Sequence, residues 1–365
     1  ARTGERLRGA LVELIETKGL PGASAALVLA DGTELAVAVG FADVEAEREM
    51  APEDRLLSGS IGKTYVTAAA HHLEHAGKLS FDDRAADHLG DEDGFARLPN
   101  AADVTIRQLL RHRTGIPRYV FEGEFWSAVL SDPDRVWKPA ELLAYVSDRE
   151  PLFPAGEGWA YADTNYIVVG MILEKVSGVA FHDYVRANLL APHGLEDTVP
   201  SDSRRIPGLA QGYVGMFRDL GLPERALEDD TFVVNPQFEW CGGGYANTPS
   251  DLARWARILF SGEAFDAPYL ETMLDTVAAP GLGPGKEYGL GVIVSHTELG
   301  ELRGHDGIMV GFLSTMGYLP EHDVAAALQL NTDDMRAVGR PLVDVMLDLA
   351  RIAVEEAETA AEVPR

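Results

Sequence analysis

The apolar positions of this chain change period along its length, and the changes predict an order of elements. From Glu5 to Lys18, Leu7, Leu11, Leu14 and Ile15 fall on one face of a helix. Gly19, Pro21 and Gly22 end it. Two strand-like runs follow, Ser24–Leu29 and Glu34–Gly40, and the Asp31-Gly32 pair between them signals a hairpin. From about Ser60 to Cys241 the pattern turns mainly helical, broken by Pro- and Gly-rich loops. Val104–Arg111, Pro139–Ser147, Asn165–Val176 and Phe181–Leu190 are its clearest helices. Another helix is expected after Thr248-Pro249-Ser250, with Ser250 or Thr248 as cap and Asp251 in the first turn. Strands return at Tyr288–Ser295, Glu301–His305, Val310–Tyr318 and Val324–Gln329. A helix over Met335–Glu356 closes the order, and the Ala/Glu-rich tail is expected to fray.

This order predicts an α/β (α+β) fold. A mixed, largely antiparallel sheet flanked by helices is completed by both ends of the chain, residues 1–59 with 245–365. A mainly helical domain, 60–244, is inserted between them, with the active site at the junction. The 365 residues, 46% of them hydrophobic, suffice for a sizeable core. The formal charge of −27 is spread along the chain and repels phosphate backbones, so nucleic acid is excluded as the expected partner. No apolar stretch approaches the ~20 residues that span a bilayer. No signal peptide is legible, so cytoplasmic and secreted locations both stay open. The lone cysteine, Cys241, permits no internal disulfide and no cysteine-based metal site, and reads as small buried filler.

The chemistry enters at Ser58-Gly59-Ser60-Ile61-Gly62-Lys63, which opens a helical pattern running to about Ala76 and closed by Gly77. Residues three apart share a helix face, so the Ser60 hydroxyl and the Lys63 amine can meet. A hydroxyl needs a base within hydrogen-bond reach to become a nucleophile, and a lysine serves once its pKa is lowered. A helix N-terminus adds free N–H groups where negative charge develops. Lysine is scarce here, at positions 18, 63, 78, 138, 175 and 286 only, which sets Lys63 apart from surface decoration. S-x-x-K alone is nonetheless a frequent coincidence, and a capped helix with one surface lysine is its plain alternative.

Two further segments change the balance: Tyr161-Ala162-Asp163, and His305-Asp306-Gly307 within Arg303–Phe312. Together with Ser60 and Lys63 they resemble the three ordered motifs of the class C β-lactamase, DD-carboxypeptidase and family VIII esterase group: S-x-x-K, Y-x-N, and K-T-G or H-x-G. The likeness extends to Leu79–Asp83, Val104–His112 and Tyr166–Gly178, and covers nearly the whole chain. It implies a β-lactamase/transpeptidase-like fold and an acyl-enzyme on Ser60, formed without a cofactor. Lys63 and Tyr161 would share the proton transfers. The backbone N–H groups of Ser60 and Ile308 would form the oxyanion hole, with His305 and Gly307 lining the site. Gly307 makes physical sense there, because a side chain would block substrate backbone from the strand.

Two residues depart from that pattern. Asp163 stands where the family usually has Asn, and beside Lys63 it would raise the lysine pKa or meet a cationic group of the substrate. Asp306 stands where related carboxypeptidases carry a hydroxyl residue, and a carboxylate facing the pocket would repel carboxylate-bearing substrates. Tyr119, Phe121, Phe125 and Trp126 are expected on one pocket wall, Phe238 and Trp240 on another, with ordinary core as the alternative. Arg303 is expected at the surface rather than against a substrate acid. The expected substrate is a small ester, amide or peptide, as for an esterase or a D-amino-acid-directed peptidase. The alternatives are a β-lactamase and a penicillin-recognition module without turnover. A remoter one is a zinc peptidase through His71, Glu74 and His75, an H-x-x-E-H pattern about 16 Å further along the Ser60 helix. It lacks a legible third ligand, so no metal is expected. No G-x-S-x-G elbow is present, which argues against an α/β-hydrolase.

Overall fold

The computed structural model describes residues 2–92 and 94–362. Its centre is a nine-stranded antiparallel sheet. Numbered within that sheet, the strands are β1 Gly22–Val28, β2 Glu34–Asp43, β3 Arg48–Glu49, β4 Val277–Ala278, β5 Glu287–Tyr288, β6 Ile293–Thr297, β7 Gly300–Met309, β8 Phe312–Leu319 and β9 Val324–Leu330. Their order is β3-β2-β1-β9-β8-β7-β6-β5-β4, so β1 pairs with β9 and the two ends of the chain close one sheet. The principal helices are α1 Arg2–Lys18, α2 Lys63–His75, α3 Asp163–Ser177, α4 Pro249–Ser261 and α5 Leu342–Glu362.

Both faces of the sheet are covered, which is why β1, β8 and β9 are buried along their whole length. On one face Leu7 and Leu11 of α1 and Met346 and Leu349 of α5 pack against Ala23, Ala25, Leu313 and Leu328. On the other, Leu252, Trp255 and Ala256 of α4 join Ala26, Met316 and Ala327 in a core that continues into the helices between Ser60 and Gly242. Strand alternation therefore decides which residues of β7 reach the helical side: Leu302 packs on the α1/α5 face, whereas Met309 belongs to the other.

The differences from the predicted elements have local causes. Ser60 lies in a short 3-10 turn, Gly59–Gly62, and the α-helix proper begins at Lys63. The expected strand Tyr288–Ser295 is two strands, β5 and β6, because Gly289–Val292 leaves the sheet. A Cβ on Gly289 would lie 2.1 Å from the Met273 carbonyl oxygen, and one on Gly291 (φ 68°) 2.1 Å from Thr67 Oγ1. The β7–β8 hairpin turns at Gly311 (φ 81°), so the His305 strand extends to Met309. Gly339 (φ 80°) and the following Pro341 split the last predicted helix into Met335–Val338 and α5. Thr248, rather than Ser250, caps α4, accepting the Asp251 N–H at 3.3 Å. Among the described residues no single helix is long and apolar enough to cross a membrane.

Candidate active site

The Ser60 turn is clamped between β7 and the Gly242-Gly243-Gly244 run by glycines whose surroundings leave no room for a Cβ unless the backbone shifts. A Cβ on Gly307 would sit 1.8 Å from the Ser58 carbonyl oxygen and 3.1 Å from the Ser60 nitrogen. One on Gly59 (φ 51°) would lie 2.7 Å from the Ile308 nitrogen, and one on Gly62 1.8 Å from the Gly243 carbonyl oxygen. The Ser60 turn thus packs directly on the Gly307-Ile308 backbone, and Ser60 and Ile308 both line one cavity.

Lys63 points back from the first turn of α2, fully buried. Its Nζ donates to Ser60 Oγ at 3.1 Å, to Asp163 Oδ1 at 2.6 Å and to the Gly242 carbonyl oxygen. These are the three bonds an ammonium can donate, so at rest Ser60 accepts from Lys63 rather than giving up its proton to it. Asp163, the first residue of α3, is bound at its other oxygen by Arg118 Nε and Nη2, at 3.0 and 2.7 Å. Burial, the largest single influence, lowers the Lys63 pKa, but Asp163 and Tyr161 together outweigh it and the net shift is upward. Burial likewise works against an ionised Asp163, yet Arg118 and Lys63 hold its carboxyl well below the usual range. Asp163 therefore raises the lysine pKa as its position in the sequence suggested. Both its oxygens are occupied, so it is not free to meet a substrate cation.

Tyr161 precedes α3, and its ring centroid lies 4.8 Å from Lys63 Nζ. Its hydroxyl is buried beside Lys63 and Ser60, near enough to interact with both but without a well-aligned hydrogen bond to either. Burial pushes its pKa up, partly offset by the Lys63 charge. His112, in the left-handed region at φ 59°, packs against Tyr161 with ring centroids 4.2 Å apart and planes tilted by 37°. Its Nδ1 accepts the Ala162 N–H at 3.2 Å, which fixes the Tyr161 backbone. His305 is buried, with Nδ1 2.6 Å from the Asp306 carbonyl oxygen and Nε2 3.0 Å from the Tyr288 hydroxyl. A carbonyl only accepts, so Nδ1 carries the proton and Tyr288 donates to Nε2. Burial, with Lys63 nearby, lowers the His305 pKa to about 3, so it is a neutral wall of the site.

The cavity in front of Ser60 has a volume of about 710 Å³. Tyr119, Phe121, Trp126 and Phe238 line it, as the aromatic pattern led us to expect. Phe121 stands 74% exposed at the mouth with the Arg118 guanidinium 4.2 Å from its ring centroid. Phe125 is core instead, packed edge-on against Tyr119 and Phe238. Trp240 is a correction. Its backbone sits at φ 38°, ψ −113°, which turns the indole away from Ser60 to a separate recess with Trp137 and Gln237, against Gly170 of α3. Asp306 is a second correction: its side chain projects from the face of β7 opposite to His305 and Gly307. There Thr315 Oγ1, directly across the ladder, donates to its carboxylate at 2.6 Å. Asp306 borders the cavity, but its carboxylate is directed to Thr315 on the other face and not toward the Ser60 side. Arg303 pairs with Glu301 at 2.6 Å and donates to the Phe260 carbonyl, away from the site.

The zinc pattern does not converge. His71 is buried between Phe81 and Tyr269 while His75 is exposed, and among the described residues no three His, Cys, Asp or Glu groups gather as a metal site. Cys241 is buried filler against Gly170. Several residues of the site were missed in the sequence, among them Arg118, which completes the Asp163 pair, and Glu239, which lines the cavity. The only signal for either was proximity to a named residue, Tyr119 or Trp240.

The beta-lactamase family model matches residues 7–349. Penicillin-binding protein 4* of Bacillus subtilis is 25% identical over 283 residues, covering 76% of this chain and 60% of the relative. A D-aminopeptidase of Brucella anthropi is 25% identical, covering 80% of this chain and 52% of its own length. The chain thus spans little more than half the length of these two relatives. Among solved structures, a D-stereospecific amidohydrolase from Streptomyces sp. superposes with a TM-score of 0.77 at 26% identity, covering 92% of this chain and 96% of that one. The chain belongs to the beta-lactamase family, the serine-hydrolase family to which its sequence motifs pointed.

Proposed function

We propose that this protein forms an acyl-enzyme on Ser60 and hydrolyses small amides or esters, with amides and peptides of D-amino acids as the favoured class. The observation that carries the reading is the 3.1 Å contact between Ser60 Oγ and Lys63 Nζ within a turn clamped against β7. In this reading the helical domain, 60–244, and the sheet domain, 1–59 with 245–365, meet at Ser60. The D-aminopeptidase and D-stereospecific amidohydrolase among its relatives support the substrate class.

Ser60 Oγ attacks the carbonyl carbon, and its proton passes to the Lys63–Tyr161 pair. The oxyanion is held by the N–H groups of Ser60 and Ile308. The tetrahedral adduct collapses as the pair returns the proton to the leaving amine or alkoxide. Water then repeats the sequence on the acyl-enzyme. At rest Lys63 is an ammonium and Tyr161 a neutral phenol, so neither can accept the Ser60 proton. The pair must first lose one proton, which it does as a coupled unit. Activity accordingly rises with pH through that titration. A β-lactamase remains the second reading, since Asp306 no longer opposes a substrate carboxylate.

A panel of nitrophenyl esters, D- and L-aminoacyl amides, D-Ala-D-Ala peptides and nitrocefin tests the substrate class. The reading expects D-aminoacyl amides to be cleaved faster than their L-enantiomers and than nitrocefin. Nitrocefin as the fastest substrate, or equal rates on the two enantiomers, contradicts it.

A further inference from the structure

Four acidic residues border the Ser60 cavity: Asp163, Asp219, Glu239 and Asp306. Three have other engagements. Asp163 is neutralised by Lys63 and Arg118, Asp306 turns its carboxylate to the far face of β7, and Asp219 lies exposed on the rim. Glu239 is different. It is half-buried in the wall, and no described Lys or Arg pairs with it. Its one hydrogen bond comes to Oε2 from the Gly244 N–H at 3.3 Å.

Its position is fixed from both sides. A Cβ on Gly243 would lie 2.5 Å from Glu239 Oε1 and 2.8 Å from the Gly59 carbonyl oxygen. The carboxylate therefore packs over the glycine run against the turn that carries Ser60. The left-handed backbone of the next residue, Trp240 (φ 38°), sends the indole outward while Glu239 lines the cavity.

We propose that Glu239 anchors a protonated amine of the substrate beside the scissile carbonyl, and so is a specificity-determining residue of the Ser60 site. A carboxylate held in a cavity wall without a counter-ion is costly, and a substrate ammonium supplies what is missing. Burial raises the Glu239 pKa to about 7, against the Gly244 N–H and Lys63, which lower it, and with Asp163, which raises it further. An ammonium held against Glu239 keeps it ionised. The repulsion of substrate carboxylates that the sequence assigned to Asp306 thereby passes to Glu239. The inference rests on the acyl-enzyme reading and narrows its substrates to those with a free amine near the acyl carbonyl.

The test compares benzylamine with neutral benzyl alcohol as competitors of nitrophenyl ester hydrolysis, in the wild type and in Glu239→Gln. We expect benzylamine to inhibit the wild type at least about tenfold more strongly than the alcohol, with the ratio falling to about one in the variant. In parallel, kcat/KM is measured on D-phenylalanine p-nitroanilide and its N-acetyl derivative. Their ratio is expected to fall at least about tenfold in Glu239→Gln and to recover in part in Glu239→Asp, which keeps the charge if the Gln variant folds poorly. Equal inhibition by the two competitors in the wild type overturns the proposal, as does an equal loss on both substrates. Fluorophosphonate labelling of the same preparations separates the two levels. A label on Ser60 without an amine preference overturns the role of Glu239 alone, whereas no label overturns the acyl-enzyme reading and the proposal with it.

Discussion

Lys63 Nζ lies 2.6 Å from Asp163 Oδ1, in a buried ion pair formed by the last residue of the Tyr161-Ala162-Asp163 triplet. Arg118 takes the other Asp163 oxygen, so the lysine proposed to accept the Ser60 proton is held as an ammonium by a carboxylate that is itself held ionised. In the proposed mechanism this pair sets the pH at which Ser60 is activated.

Replacing Asp163 with Asn removes the charge that raises the Lys63 pKa. A base must be deprotonated to act, so the acid limb of kcat/KM against pH is expected to move to lower pH by about one unit or more, equivalent to ~1.4 kcal/mol. Asp163→Asn also leaves two cations unpaired and is expected to lose about 3–5 kcal/mol of stability. A pH–rate profile below the melting temperature checks the first expectation. An unmoved limb means that Lys63 does not titrate in it.

Arg118→Met has the opposite sign. With Arg118 gone, the whole Asp163 charge falls on Lys63, and the acid limb is expected to move to higher pH. The same profile measures it. Movement of both variants in one direction contradicts the competition between Arg118 and Lys63 for Asp163.

Gly307→Ala places a methyl group 1.8 Å from the Ser58 carbonyl oxygen, so β7 or the Ser60 turn must shift. That separates the Ser60 and Ile308 nitrogens, and kcat is expected to fall about a hundredfold or more, the usual effect of losing one oxyanion donor. Steady-state kinetics with a nitrophenyl ester reads it, and a near-wild-type kcat contradicts the proposed oxyanion hole.

Asp306→Asn removes a carboxylate that faces Thr315 on the far side of the sheet. Its effect on kcat/KM is expected to stay within about twofold, as for a substitution outside the site. A larger loss, confined to one class of substrate, returns Asp306 to the pocket.

The parts of this site that the sequence makes legible are those set by short spacing. Ser60 and Lys63 meet because residues three apart share one side of a helical turn, and this survives the replacement of the predicted α-helix by a 3-10 turn at Ser60. The closing of one sheet by both chain ends was legible from the return of strand patterns after Cys241. Arg118 was not, because 45 residues separate it from Asp163 and an arginine in a loop looks like surface. Glu239 is one acid among 58 Asp and Glu residues, and only the fold leaves it without a partner. Asp306 was legible in principle: strand alternation puts it opposite His305 and Gly307, and the error lay in reading the triplet as a unit. Trp240 was not, since nothing in its neighbours announces a left-handed backbone at a non-glycine position.

The central claim is that Ser60 is the acylated nucleophile, and intact mass after fluorophosphonate treatment tests it most directly. One adduct per chain in the wild type, mapped to the Ser60 peptide and absent from Ser60→Ala, is the predicted result. No adduct on the wild type, or an adduct of the same mass on Ser60→Ala, contradicts it.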